Sequence, residues 1–405
     1  MHLPELLAPA GDLEKLRIAF DYGADAAYLG GEQFSLRALA GNFDLTELAR
    51  ARALAGVRNK RLYLTLNAYL KPGDMPAFVD YLEQLRDLDL DAYIVSDPGV
   101  LRVVRQVDPD REVHLSTQAN TTNAEAVRFW AEAGVRRINL ARELSLEDIR
   151  VIHRDTGMEL EVFVHGALCV AYSGRCLLSA ALTGRSANQG ACTQPCRWKY
   201  ALVEETRPGE YFPLEEDARG SYLLNSRDLC LIEYLPQLLQ AGVRSLKIEG
   251  RMKTLYYLAG VTRVYRAALD RYLADPDAYR FDPRWREELE KVSHRPYDSG
   301  FLSGRREALV HTGDAKYRRS HDFVGVVREL RPDGRALIEA RNRFFPGEAL
   351  ELIGPQMRQA GFSVGGMESA DGDALRVAQP NAQILLELPD GARVGDILRR
   401  QRQGA

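Results

Sequence analysis

A chain of 405 residues, 45% hydrophobic and 27% charged, has the composition of an ordinary globular protein and the length for two to three domains. Its formal net charge of -3 excludes a global pull toward nucleic acid or anionic membrane, so any RNA contact has to use a local patch. The opening MHLPELLAPAGDLEKL has no basic stretch followed by an apolar one, and no run of 18 apolar residues occurs; no signal peptide and no membrane span are expected, and the reading is cytoplasmic.

In chain order one unit recurs: an amphipathic helix, a glycine or a stand-in, then a short apolar strand ending in polar groups. Residues 19–31, 85–97, 130–142 and 238–250 show it. The glycine suits a left-handed cap between helix and strand. Segments 5–10, 62–68, 112–119 and 160–166 bring the predicted strands to eight, alternating with helices predicted over 45–56, 75–88 and 123–134. That alternation predicts an α/β fold with a parallel sheet, closed as a TIM-like (β/α)8 barrel. A doubly wound open sheet is the runner-up, but no G-x-G-x-x-G follows the first strand.

After the seventh strand, ending at Gly166, about 60 residues pass before a helix predicted to start near Asp228. A loop that long in a compact domain is usually functional, and it leaves from the C-terminal end of a barrel strand, the catalytic face of this fold. It holds four of the five cysteines, Cys169, Cys176, Cys192 and Cys196, spaced C-x6-C-x15-C-x3-C, followed by a predicted β-hairpin over 199–226. A chain this long buries its core without disulfide staples, and the fifth, free cysteine suits a reducing compartment. A metal centre is the better use of the cluster. Structural zinc sites bring their thiolates in as close C-x2-4-C pairs, whereas an iron–sulfur cage collects them from wider gaps. The spacing is not the radical-SAM C-x3-C-x2-C. Iron–sulfur, zinc and no metal all remain open on spacing alone.

Downstream, a helix is predicted over 254–275 and a connecting segment over 276–320. From 321 the pattern becomes alternation, with runs at 323–330, 334–341, 348–354, 382–388 and 393–400 separated by turn signals. These predict a small antiparallel β-barrel or sandwich. The expected organisation is therefore a barrel domain over 1–275 with its insertion at 167–227, the connecting segment, and an all-β domain over 321–405. Residues 316–405 carry 14 Lys+Arg and 12 Asp+Glu, a surplus of two positive charges against -5 for the rest, which leans weakly toward RNA. The clusters at 316–320, 341–345 and 399–402 are local candidates, because an aromatic beside arginines combines stacking with phosphate contact. A solvated charged face explains each of them equally well.

The stretches HGALCVAYSGRCLLS, RSANQGACTQPCRWKY, SLKIEGRMK-x-LYY and SHRPYDSGF, with the opening ELLAPAGDLEKL and YGADA-x-YLGG, together resemble the collagenase-like peptidase U32 family over essentially the whole chain. The resemblance implies an iron–sulfur protein that installs 5-hydroxyuridine at the wobble position of tRNA, with tRNA as partner and a link to prephenate, a candidate co-substrate. It also implies Cys169, Cys176, Cys192 and Cys196 as ligands of a [4Fe–4S] cluster. Similar proteins act on ribosomal RNA or, as a heterodimer, on a ubiquinone precursor, which leaves a homo- or hetero-oligomer open. A peptidase is the remaining alternative. Hydrolysis needs an activated nucleophile or a metal-bound water, and the zinc motif H-E-x-x-H is absent.

Polar residues ending barrel strands are the catalytic candidates of this fold: Glu32, Asn67, Asp97, Gln118, Arg142, His165 and the trio Lys247, Glu249 and Arg251. Lys247 and Glu249 share one face of the eighth strand and are predicted to enter the barrel as a pair, catalytic or merely an ion pair. For a uracil substrate, Asn67 and Gln118 would read the base edge and Glu249 would take the C5 proton. Arg142 or Arg251 would hold a phosphate or carboxylate bidentately. His165 would bond a cluster thiolate or a backbone carbonyl. Asn225 and Arg227 are placed at the start of the final barrel helix as substrate contacts or caps, with Cys230 inside that helix as a buried free thiol.

Overall fold

The computed structural model describes residues 3–36, 41–168, 178–187, 191–195, 227–304 and 317–402, and the backbone of four short strands between 202 and 221. The chain forms two compact units: Met1–Phe20, Asp25–Met252 and Arg295–Tyr317 in one, Asp21–Ala24, Lys253–His294 and Arg318–Ala405 in the other.

The first unit is a closed barrel of eight parallel strands: Glu5–Pro9, Ala26–Gly30, Arg61–Leu66, Ala92–Val95, Glu112–Leu115, Arg137–Asn139, Glu159–Ala167 and Val243–Ile248. Each pairs with the next in sequence, and the eighth pairs with both the seventh and the first, which closes the sheet. All eight predicted strands are present. Their outward faces are fully buried Leu, Ile and Val, such as Leu6, Leu29, Leu62 and Ile138, as a parallel sheet covered by helices requires.

Local chemistry sets the connections. Asp44 and Glu47 form a reciprocal capping box at the start of helix Leu45–Val57, which satisfies two orphan amides. Asp97, a strand-end candidate, accepts from the Gly99 amide at 2.6 Å and so caps helix Pro98–Val107. Gly134 and Gly242 turn from helix to strand at φ 89° and 93°, as expected of the recurring unit, and Asp89 stands in at φ 49°. At Gly242 a Cβ would lie 2.0 Å from the His153 ring.

One expected helix is corrected. The chain at Asp228–Cys230 is a short strand, antiparallel to the end of the seventh strand with Asp228 opposite Ala167 and Cys230 opposite His165. The helix starts only at Leu235, after a single 3-10 turn over Ile232–Tyr234. Tyr297–Asp298 adds a further strand beside Asp228 and Leu229. Arg295 clamps this edge: its Nε and Nη2 donate to Asp228 at 3.0 and 2.8 Å, with both residues buried. Within the insertion, Leu178–Thr183 is helical, and two antiparallel pairs, Leu202–Val203 with Tyr211–Phe212 and Glu216–Asp217 with Gly220–Ser221, stand where the hairpin was predicted.

The second unit joins helices Leu255–Ala274 and Pro283–Glu290 to an eight-stranded antiparallel sheet. The five predicted runs are strands, and Gln359–Ser363, Met367–Ser369 and Ala374–Leu375 are additional ones. Its core gathers Val324, Ile338, Phe344, Leu352, Ile384 and Leu398. Glu288 ties helices to sheet, accepting from Arg263 at 2.6 Å and from Arg399 through both carboxylate oxygens, one at 2.9 Å. Burial works against this carboxylate, yet Arg263 and Arg399 hold its pKa at about 2. Burial, then Arg399 and Lys291, push the neighbouring His321 imidazole down to about 4.

These shifts fix a pH dependence. Neutral His321 is favoured in the folded state, so its contribution is intact above about 6.5, the unfolded value, and is lost as pH falls toward 4. Glu288 adds a second loss as pH falls from 4.5 toward 2. Thermal melting from pH 7 to 4 should therefore show a steeper loss of Tm for the wild type than for His321→Gln; parallel curves would remove His321 from this role.

Candidate active site

Strand alternation sends every second side chain into the barrel, and here several of them are charged. Glu5 accepts from Arg137 Nη1 at 2.6 Å and from the Tyr63 hydroxyl at 2.6 Å. The Ser245 hydroxyl bridges Glu5 at 3.1 Å and Glu161 at 3.2 Å. Lys247 Nζ donates to Glu161 at 2.6 Å, and Arg137 lies 3.5 Å from the same carboxylate. Glu5, Arg137, Glu161 and Lys247 are each 5% exposed or less. Burial alone would raise the Glu161 pKa, but Lys247 and Arg137 outweigh it and hold the group below the usual carboxylate range. Burial, with Arg137 beside it, depresses His114, which sits edge-on to Tyr63.

The predicted Lys247–Glu249 pair is thus corrected: the carboxylate that meets Lys247 comes from the neighbouring strand. Two aromatic rings nevertheless link the candidates. Lys247 Nζ lies 4.6 Å from the Tyr28 ring centre and 5.4 Å from that of Phe163. The Tyr28 hydroxyl is 3.3 Å from Glu249 Oε2, and the Arg142 guanidinium stands 4.1 Å above Phe163. Arg142, Lys247 and Glu249 therefore belong to one continuous group.

At the strand ends, Asn67 Nδ2 donates to Ser116 Oγ at 3.2 Å and Gln118 Oε1 at 3.4 Å, while Ser116 itself bonds Gln118. The two amides predicted to read a base edge are adjacent. Asn67 also accepts the Leu36 amide at 3.1 Å, which anchors the chain after the second strand. Arg251 is buried and committed to that same chain, donating to Ser35 Oγ at 3.0 Å and to Asn42. A Cβ on Gly30 would meet the Arg251 guanidinium and the Ser35 hydroxyl, so the bare glycine leaves room for this contact. Glu32 is exposed.

His165 is fully buried, with Nε2 3.3 Å from the Tyr297 hydroxyl; its own carbonyl accepts the Glu249 amide at 2.8 Å. Arg227 is 3.6 Å from Asp298, beside a strand rather than at a helix start, and Asn225 lies outside the described residues. So do Cys169, Cys176 and Cys196. Cys192 is half-buried, and its sulfur accepts the Gln194 amide at 3.4 Å. Thr193 anchors this turn to helix Leu178–Thr183 through Ser179 Oγ at 3.1 Å. Cys230 is buried in its strand opposite His165.

Glu5, Arg137, Glu161 and Tyr63 were not among the candidates from sequence. The available signal was charge at alternate positions in otherwise apolar strands, as in Glu159 and Glu161 of ELEVFVHGA. A G-x-S-x-G string does occur at 361–365, but its Ser363 ends an exposed antiparallel strand, not the strand-to-helix elbow that a nucleophile of this type needs.

A closed parallel barrel with a polar, ion-paired interior, carried in one chain with a unit built on an antiparallel sheet, defines a two-unit class of protein. Residues 11–312 match peptidase family U32 and residues 319–399 match its C-terminal domain; the chain belongs to that family. It is 39% identical, over 94% of its length and 91% of the relative's, to tRNA hydroxylation protein P1 of Bacillus subtilis. It is 38% identical to tRNA hydroxylation protein P of Escherichia coli, covering 93% and 92%. A 23S rRNA 5-hydroxycytidine synthase of Escherichia coli is 37% identical over 80% of this chain and 48% of the relative.

The buried charges give a direct test. Glu161→Gln should lower stability by about 3–5 kcal/mol, because it leaves Lys247 buried without its charge partner. Glu161→Leu combined with Lys247→Met should cost less than the single change. Urea denaturation followed by circular dichroism measures both, and a double variant weaker than Glu161→Gln would refute the pairing as the source of the loss.

Proposed function

We propose that this chain is an RNA-modifying enzyme that hydroxylates C5 of the wobble uridine in tRNA. The carrying observation is similarity over 94% of the chain to a protein named for tRNA hydroxylation; the relative named as an rRNA 5-hydroxycytidine synthase supports RNA hydroxylation as the broader class. The barrel mouth suits a base. The adjacent amides of Asn67 and Gln118 would hydrogen-bond the uracil edge, and Glu249, bonded by Tyr28, would accept the proton leaving C5. Lys247, oriented by Glu161, would stabilise negative charge developing on the ring. Arg142 would hold an anionic group of the substrate or of prephenate, the proposed co-substrate.

A [4Fe–4S] cluster held by Cys169, Cys176, Cys192 and Cys196 is part of this proposal. Four thiolates match its ligand need. Hydrogen bonds to the sulfurs tune such centres, and the Gln194 amide donated to the Cys192 sulfur would do so here. Replacing C5–H by C5–OH removes two electrons from the base and adds one oxygen atom, so the reaction takes a co-substrate that donates the oxygen and is itself reduced by two electrons. Bound there, the cluster would pass electrons one at a time.

Nucleoside mass spectrometry of bulk tRNA from a deletion strain, with any second hydroxylation system of the host also deleted, tests the substrate. 5-Hydroxyuridine and its derivatives should disappear and return when this gene is restored. Unchanged tRNA would transfer the assignment to ribosomal RNA or a ubiquinone precursor. For the cofactor, anaerobically purified protein should carry about four irons per chain. Cys192→Ser should lose them and Cys230→Ser should keep them; zinc without sulfide would overturn the cluster.

A further inference from the structure

Three arginine clusters far apart in sequence meet at one place on the second unit. Pairing of strands His321–Leu330 and Ile397–Gln401 sets Asp322 opposite Arg400. Asp322 is then shared by three guanidinium groups: Arg319 at 2.9 Å, Arg400 at 3.5 Å and Arg402 at 3.6 Å. Arg400 also reaches Glu348 at 2.7 Å and donates to the backbone carbonyl of Arg343 at 3.1 Å, which draws in the third cluster. There Phe344 is fully buried while Arg343 and Phe345 on either side of it are exposed, Phe345 to 42%. Among the described residues no carboxylate meets the Arg343 guanidinium.

Charge decides what this surface lacks. Four cations (Arg319, Arg343, Arg400 and Arg402) face two anions, Asp322 and Glu348, on a chain whose formal net charge is -3. These pairs are only partly buried, so an incoming anion competes with Asp322 and Glu348 for the same guanidinium groups. A phosphate supplies the missing acceptors in the fork geometry that guanidinium groups prefer. Phe345, projecting beside Arg343, supplies an apolar platform on which an unpaired base stacks.

We infer that this patch binds the sugar–phosphate backbone of the RNA substrate, with an unpaired base on Phe345. The inference rests on the proposed RNA substrate and assigns a second, nonreacting contact to it. Full-length protein and an unmodified tRNA transcript, followed by fluorescence anisotropy across a series of KCl concentrations, provide the test. Arg343→Ala with Arg402→Ala should weaken binding at least tenfold at low salt. The slope of log affinity against log salt should become shallower by about 0.7 for each single-strand phosphate contact removed. Phe345→Ala should weaken binding with the slope unchanged. Arg376→Ala with Arg393→Ala, two exposed arginines outside this network, should change neither.

Thermal melts matching the wild type identify these losses as surface effects. Wild-type affinity and slope in the double variant, with hydroxyuridine restored by the wild-type gene in the deletion strain, would overturn the patch alone. A wild type that neither binds the transcript nor restores hydroxyuridine would overturn the substrate reading and this inference with it. Binding to vesicles of anionic phospholipid that the double variant abolishes, with RNA affinity intact, would reassign the patch to a membrane surface.

Discussion

Glu5, Glu161, Arg137 and Lys247 occupy the barrel interior almost entirely out of water, and each of these ions costs several kcal/mol to desolvate. They repay that cost only as a set, through the Glu5–Arg137 and Glu161–Lys247 contacts and the Ser245 hydroxyl between the two carboxylates. The four residues come from the first, sixth, seventh and eighth strands, so the network also fixes how the sheet closes. The strand-end groups inherit this rigidity. Lys247 has its direction set by Glu161, and through the Tyr28 and Phe163 rings that direction bears on Glu249 and Arg142. Side chains held this way keep one direction, as any binding or catalytic constellation needs.

The barrel was legible because each strand is short, apolar and preceded by a helix that stops at a residue able to turn left-handed; Gly134, Gly242 and Asp89 do so. The strand Asp228–Cys230 was not legible. Leu229, Ile232 and Leu235 have helical spacing, and what holds this segment extended is remote: the free edge of the seventh strand and Arg295, 67 residues further on. Alternation correctly turned Lys247 inward. The identity of its partner depended on the register between two strands, which spacing within one strand does not contain. Asn67 and Gln118 came together because both end neighbouring parts of the same rim, whereas Arg251 ends its strand equally well and is engaged with Ser35 and Asn42.

The second unit shows a similar division. Its longer strands alternate cleanly, while Met367–Ser369 and Ala374–Leu375 are too short to carry a pattern of their own. Helix Leu255–Ala274 follows the eighth barrel strand in sequence, yet its Arg263 shares Glu288 with Arg399 of the sheet. A buried carboxylate between two buried arginines is a strong constraint, because removing any one member strands the others without a partner.

The seventh strand runs on for nine residues, and its last turn of pairing is with Asp228–Cys230. Ala167 and Asp228 are the two ends of the cysteine-bearing insertion, and as ladder partners they stand about 5 Å apart. The 60 residues between them therefore leave the barrel and return to it at adjacent positions of one ladder. For a flexible loop, closure entropy changes by only about 0.6 kcal/mol with each doubling of length. With both ends held in the ladder, the length of the insertion can change at little cost to the closure of the barrel that carries it.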